Sequence, residues 1–382
     1  MSNNGQIECQ EIKCQEIKCQ EYATASGHIV GHARLNAPAS LNALTLEMID
    51  ALFRQLTMWQ EDKRVVAVIL DGQGEKAFCA GGDIRKLHTL VLESKGEVNS
   101  FGEQFFSHEY RLDYLIHTYG KPVLCWGAGI VMGGGIGLMA GASHRIVTLS
   151  SKLAMPEIAI GLFPDVGGSW ILGRMPGRTG LFLGLTGTRL NASDALFCGL
   201  ADRFLGDGTL PDIISAMQTR HWLGNGEEDC HVLDNLLRQA EREQAIDAPV
   251  SAIRENFDLI QQVTDAERPE QILEAIRAQE GEWWQRAATS LAKGCPVTAA
   301  IVGEQLRRAR HLSLADVFRM ELNIAVRCLN SPNFAEGVRA LLLERGSQAM
   351  WQPASMADIS CDLVREYFIS PWPEDCHPLA DM

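Results

Sequence analysis

Two carboxylates, Glu157 and Asp165, stand in a stretch where charge is otherwise absent: Ala154-Met155-Pro156-Glu157-Ile158-Ala159-Ile160-Gly161-Leu162-Phe163-Pro164-Asp165-Val166-Gly167-Gly168. An acidic residue among apolar neighbours is more often a helix cap or a surface charge than a reactive group. It becomes a candidate base or nucleophile when the rest of the chain can stabilise a developing anion. Two segments offer that. Phe78-Cys79-Ala80-Gly81-Gly82-Asp83-Ile84 follows the apolar run Val65–Gly72 and opens a helical stretch, where Asp83 can cap the helix. Met132-Gly133-Gly134-Gly135-Ile136-Gly137-Leu138 does the same after residues 122–126. Glycine lets a backbone approach a reacting group closely, and the first turn of a helix presents free N–H groups at the positive end of its dipole. An oxyanion hole needs two N–H donors converging on one oxygen, and two such junctions can supply them. Neither junction is a dinucleotide fingerprint, because the G-x-G-x-x-G spacing is absent.

The elements that must hold these groups read as alternating strand and helix. Residues 16–23 and 28–35, joined through Ser26-Gly27, resemble a hairpin. A helix is predicted from Thr45 as N-cap, with Met48, Leu52, Leu56 and Trp59 on one face. Val65–Gly72 is the clearest buried strand. Residues 84–119 are mostly helical and too long for a simple connection. Short strands follow at 122–126, 145–148 and 153–155. After Phe204 helical periods dominate, 224–229 reads as a solvated linker, and Ile301, Leu306, Val317, Met320 and Ile324 form a helix-core stripe.

With 382 residues, 46% of them hydrophobic, the chain can bury a full core, and its net charge of −14 disfavours nucleic acid and anionic membranes as partners. No apolar run is long enough to span a bilayer, and no secretory leader is evident. The 11 cysteines lack a CxxC or zinc-type spacing, which points to free thiols in a reducing cytoplasm. The repeat QEIKC-QEIKC fits neither helix nor strand period, so residues 1–20 read as a flexible tail. A metal role for Cys9, Cys14 and Cys19 lacks further ligands. The expected organisation is tail 1–20, a sheet-rich core 21–205 carrying the site, and a helical region 206–382.

The order A-G-G-D, M-G-G-G, P-E-x-x-x-G-x-x-P-x-x-G-G resembles the crotonase (enoyl-CoA hydratase/isomerase) superfamily. The likeness implies an α/β fold, a crotonase-like core of repeated ββα units with an extended helical C-terminal region. It assigns the oxyanion hole to the N–H groups of Gly82 and Gly134. Gly-Leu-Phe-Pro-Asp-Val-Gly-Gly (161–168), Phe105-Phe106-Ser107-His108-Glu109-Tyr110, residues 334–340 and Trp351-Gln352-Pro353 are similar to the branch of that family that hydrolyses 3-hydroxyisobutyryl-CoA in valine breakdown. Agreement is weak over 209–294 and after Pro353. Hydratases of the family use two glutamates, and here the first of those positions is Gly137.

What the resemblance implies is hydrolysis of a short 3-hydroxyacyl-CoA thioester. Glu157 would attack the carbonyl or activate a water, and Asp165 would orient the substrate hydroxyl or the attacking group. Glu109 would hold the 3-hydroxyl, so that Glu109, Gly134, Glu157 and Asp165 bind substrate. Arg34, Arg85 and Lys86, with Lys63, are candidates for the CoA phosphates, because a net acidic chain needs a local basic patch for them. No metal and no cofactor are expected, since CoA arrives as part of the substrate, and a homo-oligomer fits the family. An enoyl-CoA hydratase or isomerase, or a catalytically silent acyl-CoA binder, are the alternative readings.

Overall fold

Val65–Gly72 is buried along nearly its whole length, as a strand enclosed on both faces must be. The computed structural model describes residues 6–7, 14–93, 100–244, 246–373 and 375–382. Its strands are β1 (Gln6–Ile7), β2 (Ile17–Ala23), β3 (Ile29–Leu35), β4 (Val65–Gly72), β5 (Ala77–Cys79), β6 (Val123–Gly127), β7 (Ile130–Met132), β8 (His144–Val147), β9 (Lys152–Ala154) and β10 (Arg203–Phe204). One sheet has the order β1-β2-β3-β4-β6-β8-β10, antiparallel from β1 to β3 and parallel beyond; a smaller one has β5-β7-β9. Strand pairs therefore alternate between the sheets, β4 then β5, β6 then β7, β8 then β9. Helices Ile84–Glu93 and Gly134–Ala140 follow the first two pairs, the repeated ββα order that the sequence implies.

The chain forms two compact units. The first comprises Met1–Gly82, Leu112–Leu153 and Leu190–Ala252. Val30, Val66, Ile69, Leu124, Trp126 and Ile146 of its large sheet pack with Leu210, Ile213 and Met217 of helix Leu210–Thr219 and with Leu233, Leu236 and Leu237 of helix Gly226–Glu243. Burying each such side chain stabilises by roughly 1.5–3 kcal/mol before entropy is counted. Helix Leu46–Glu61 starts as the sequence predicts: the Thr45 hydroxyl accepts the Met48 N–H, and Met48, Leu52, Leu56 and Trp59 are buried.

The second unit comprises Asp83–Arg111, Ala154–Arg189 and Ile253–Met382. Its core includes Ile301, Val317 and Ile324, all at 0% exposure, from helices Pro296–Ala309 and Leu314–Leu329. Phe182 packs on Trp283 and Trp284, and these two indoles meet edge to face.

Three sequence expectations need correction. The division does not fall at residue 205: the apolar faces of 210–217 and 233–237 close on the large sheet, so 206–252 belongs with the first unit. Residues 224–229 are a helix start, not a linker, because the Asn225 side chain accepts the N–H groups of Glu227 and Glu228 and acidic residues fill the first turn. The flexible tail is shorter than 20 residues, since β2 pairs residue for residue with β3 from Ile17 onward and Ile17 is 3% exposed. The rest of that tail, apart from Gln6–Ile7 and residues 14–16, lies outside the described residues, as does Cys9.

Removing residues 1–20 takes away Ile17 to Gln20, more than half of β2. The truncated chain should unfold at a midpoint lower by about 5 °C or more, whereas an unchanged melting curve would mean that β2 adds nothing to the sheet.

Candidate active site

Glu157 opens the short 3-10 turn Glu157–Ile160, and the C-terminal motifs brace that turn. A Cβ on Gly161, which ends the turn at φ +67, would lie 2.6 Å from the Asn333 carbonyl oxygen, so only glycine lets the two backbones meet. Gly337 similarly clears room for Ile160. Cys295 N–H donates to the Ile158 carbonyl at 2.9 Å, and Asn333 exchanges hydrogen bonds with the Gln352 backbone at 2.7 and 2.8 Å. The sequence similarity at 334–340 and 351–353 thus falls on residues that fix where Glu157 sits.

Asp165 lies in the next turn, and its Oδ2 accepts the Tyr110 hydroxyl at 2.8 Å. Tyr110 and Glu109 come from helix Ser100–His117, which is anchored by an aromatic ladder. Phe105 and Phe106 meet edge to face at 5.6 Å, Phe106 lies 5.8 Å from Tyr110, and Tyr110 lies 5.6 Å from Phe318. On the helix that carries Phe318, the Glu321 carboxyl accepts the N–H groups of Gly167 and Ser169, each at 2.8 Å.

These carboxyls are 0–5% exposed, and among the described residues none is ion-paired to a basic side chain. Burial, and then the charge of Asp165, raises Glu109 and Glu157 well above the usual carboxylate range. Burial raises Asp165 to about 7 against the opposing pull of the Tyr110 hydroxyl. It raises Glu321 to about 8 despite the hydrogen bonds from Ser169 and Gly167. Among the described residues, Glu109 Oε1 and Glu157 Oε2 are buried acceptors without a hydrogen-bond partner. Buried polar atoms rarely stay unpaired, and active sites are where they do. The second unit thus brings Glu109, Glu157 and Asp165 into one electrostatically linked group whose members all hold their protons more tightly than an exposed carboxyl does.

In the first unit the two glycine junctions meet. A Cβ on Gly81 would stand 3.8 Å from the Gly134 nitrogen, and one on Gly135 would collide with the Cys79 carbonyl at 2.4 Å. Gly133 caps helix Gly134–Ala140 at φ +49, which leaves Gly134 as its first residue. No hydrogen bond to the N–H of Gly82 or of Gly134 occurs among the described residues. Gly137 is buried within the same helix and brings no acid or base.

The basic candidates fare unevenly. Arg34 gives three hydrogen bonds to Asp71, at 2.9, 3.0 and 2.6 Å, so its charge is already compensated inside the first unit. That removes it as a free phosphate ligand, a correction to the sequence reading. Arg85 donates to the Leu342 carbonyl at 2.9 Å while staying exposed, and Lys86 lies 5.5 Å over the Phe101 ring. Lys63 is exposed. Sequence reasoning missed Tyr110 and Glu321. Tyr110 adjoins Glu109 and was within reach of inspection, whereas Glu321 lies 154 residues from Gly167 on an otherwise ordinary helix.

The family model for enoyl-CoA hydratase/isomerase matches residues 30–368. A Xenopus tropicalis protein named 3-hydroxyisobutyryl-CoA hydrolase, mitochondrial, is 36% identical over 343 residues, 89% of this chain and 86% of the relative. The human protein of that name is 34% identical over 341 residues, again 89% and 86%. The crystal structure of a carnitinyl-CoA dehydratase from Mycobacterium thermoresistibile superposes with a TM-score of 0.82 at 31% identity, covering 96% of this chain and 98% of that one. An enoyl-CoA hydratase from Rhodobacter sphaeroides gives 0.80 at 30% identity, covering 94% and 98%.

The raised carboxyls set a pH dependence of stability. Above pH 4.5, the ordinary value for Glu157, the unfolded chain ionises more readily than the folded one. The group's contribution is therefore whole below that pH and is lost as pH rises toward the folded value. Relative to the parent, Glu157→Gln should gain on the order of a few degrees in melting midpoint between pH 5 and pH 8. An equal offset at both pH values would show that Glu157 ionises freely in the folded chain.

Proposed function

The chain belongs to the enoyl-CoA hydratase/isomerase family, and from that footing we propose that it is a thioester hydrolase that cleaves a short 3-hydroxyacyl-CoA, with 3-hydroxyisobutyryl-CoA as the main substrate, to the free hydroxy acid and CoA. The observation that carries the reading is the set of linked buried carboxyls, with acceptor oxygens on Glu109 and Glu157 that are unpaired among the described residues, in a chain where the first hydratase glutamate position is Gly137. Water addition across a double bond needs an acid and a base on the two sides of that bond. Thioester hydrolysis needs one reacting carboxylate, stabilisation for the carbonyl oxygen, and a grip on the substrate.

In the proposed reaction Glu157 is the reacting group. Its carboxylate either adds to the carbonyl carbon, expelling the CoA thiolate and leaving an anhydride for water to cleave, or takes a proton from water as that water adds. In both routes the C–S bond breaks, the thiolate takes up a proton, and one water is consumed. Both require the ionised form, and a carboxylate poorly solvated in an apolar pocket is a stronger base and nucleophile than one in water. The N–H groups of Gly82 and Gly134 are assigned to the negative oxygen. The Glu109 acceptor is assigned to the 3-hydroxyl, and Asp165, held by Tyr110, orients the hydroxyl or the attacking group. Arg85 and Lys86 are the remaining candidates for the CoA phosphates. The chemistry as written calls on no metal and no cofactor.

The proposed role is in valine breakdown, as the resemblance to the hydrolase branch implies. Among the described residues no helix is long and apolar enough to cross a membrane. We retain the cytoplasm as the compartment, because every described cysteine is free. The two vertebrate relatives carry a mitochondrial designation in their own names. A homo-oligomer is part of the proposal.

The direct test is thiol release from a panel of hydroxyacyl-CoA and enoyl-CoA esters. The proposal expects release from 3-hydroxyisobutyryl-CoA and no hydration of crotonyl-CoA; the reverse result would restore the hydratase reading, and binding without turnover of either would make the protein a silent binder. Glu157→Gln should slow single-turnover release by about 10²-fold or more with much less effect on binding.

Gly134→Pro tests the donor assignment. Proline is tolerated at the first position of a helix, so the substitution removes the N–H at the place where the helix suffers least. Turnover should fall by roughly 10²–10³-fold in a chain that keeps its circular dichroism spectrum. Normal turnover in that folded variant would show that this N–H does not serve the oxyanion.

A further inference from the structure

The turn that carries Asp165 is held in an unfavourable shape. Val166 has φ +52, where a β-branched residue is a genuine outlier, and Gly167 follows at φ +81. Such backbone persists only where the surroundings over-determine it. Within the turn, the Gly168 N–H donates to the Asp165 carbonyl at 2.7 Å. Two side chains at 0% exposure, on neighbouring helices, supply the rest. Gln305, on helix Pro296–Ala309, donates from Nε2 to the Pro164 carbonyl at 2.8 Å. Glu321, on helix Leu314–Leu329, accepts the Gly167 N–H on Oε2 and the Ser169 N–H on Oε1, both at 2.8 Å. These bonds bracket Asp165 from before and after.

Placing a carboxyl here is costly, because burial disfavours its charged form and no basic side chain pairs with it among the described residues. An amide of the same shape would offer only one acceptor oxygen to the two converging N–H groups, whereas a carboxyl offers two. The same helix also aims the other end of the arrangement. Phe318, one turn before Glu321 and on the same face, packs against the Tyr110 ring, whose hydroxyl holds Asp165 Oδ2. Both the backbone and the side chain of Asp165 are thus referred to helix Leu314–Leu329.

We propose that Glu321 is a positioning residue for the hydrolysis: its two oxygens hold turn 164–168 in the strained form that aims Asp165, and it does not itself touch the substrate. This rests on the reading of Asp165 as a group that works on the thioester.

The test is a double-mutant cycle in steady-state thiol release, with Glu321→Gln, Asp165→Asn and the double variant, each checked by circular dichroism. Glu321→Gln should lower kcat by about 10- to 10²-fold, as a misplaced catalytic group does, with KM changed less than about threefold. The double variant should be no slower than Asp165→Asn alone, because Glu321 acts through Asp165. A merely structural Glu321 would lower the melting midpoint and leave kcat unchanged in the folded enzyme, which would overturn the proposal; so would losses that multiply in the double variant. If Asp165→Asn turns over like the parent, the role of Asp165 falls instead, a distinguishable failure. Should Glu321→Gln not fold, Gln305→Leu removes the tie at Pro164 from the same turn. A kcat loss that vanishes in the Asp165→Asn background supports the proposal, and parent kcat overturns it.

Discussion

The second unit is organised around one electrostatic constraint: Glu109, Glu157, Asp165 and Glu321 are buried together, and among the described residues no basic side chain is ion-paired to them. Each ionisation makes the next harder, so the carboxyls titrate as a set and not as individuals. Burial raises Asp165 to about 7, and the hydroxyl of Tyr110, which favours the charged form, holds it from rising further. With that charge present, Glu109 and Glu157 keep their protons more tightly. The four environments push the carboxyls up to different extents, and chemistry that must take a proton at one atom and return it at another draws on groups that differ in this way.

Such a cluster lowers stability, and the packing around it supplies the compensation. The aromatic ladder from Phe105 through Tyr110 to Phe318 reaches it through the Tyr110 hydroxyl, and the same unit fully buries Ile301, Val317 and Ile324. Sites that hold function commonly give up stability in this way. The first unit solves a related problem with backbone. In the proposed reaction, the glycine junctions of this chain of net charge −14 offer N–H dipoles and not a side-chain cation to a negative oxygen. Dipoles fixed by a helix start and by close strand contacts need little reorganisation when charge develops, which suits a transition state better than a mobile lysine would.

Much of this was legible in the sequence because it is local. The strand Val65–Gly72, the cap at Thr45, the glycine junctions and the carboxylates at 157 and 165 each announce themselves within a dozen residues. The two-unit division was not legible, because the faces of 210–217 and 233–237 have the same period whether they cover a sheet or another helix. Arg34 was misread for a similar reason: its partner Asp71 lies 37 residues away and is reached through the parallel pairing of β3 with β4. Glu321 sits among Leu322, Ile324 and Ala325, where a single acid looks like the solvent side of an amphipathic helix. Only the fold shows that it faces Gly167 and Ser169.

The structural likeness to a dehydratase and a hydratase does not argue against hydrolysis. Superposition reports the path of the backbone, and at 30–31% identity many side chains differ on one path. A shared path carries over what the backbone itself provides, namely the strand-to-helix junctions and their N–H groups. It carries over no side chain, and the hydratase pattern requires a glutamate where this helix has Gly137. Glycine there has no atom with which to exchange a proton, and the nearest replacement along the helix would point elsewhere, since successive residues diverge by about 100° around the axis. What the chain has instead is a carboxyl group on the Ser100–His117 helix and another in the strained turn at 165. Neither occupies the missing position in the motif, so the second half of a two-sided addition is absent. The proposed roles, an oxygen-stabilising pair with one reacting carboxylate and two groups to hold a hydroxyl, are what cleaving a thioester requires.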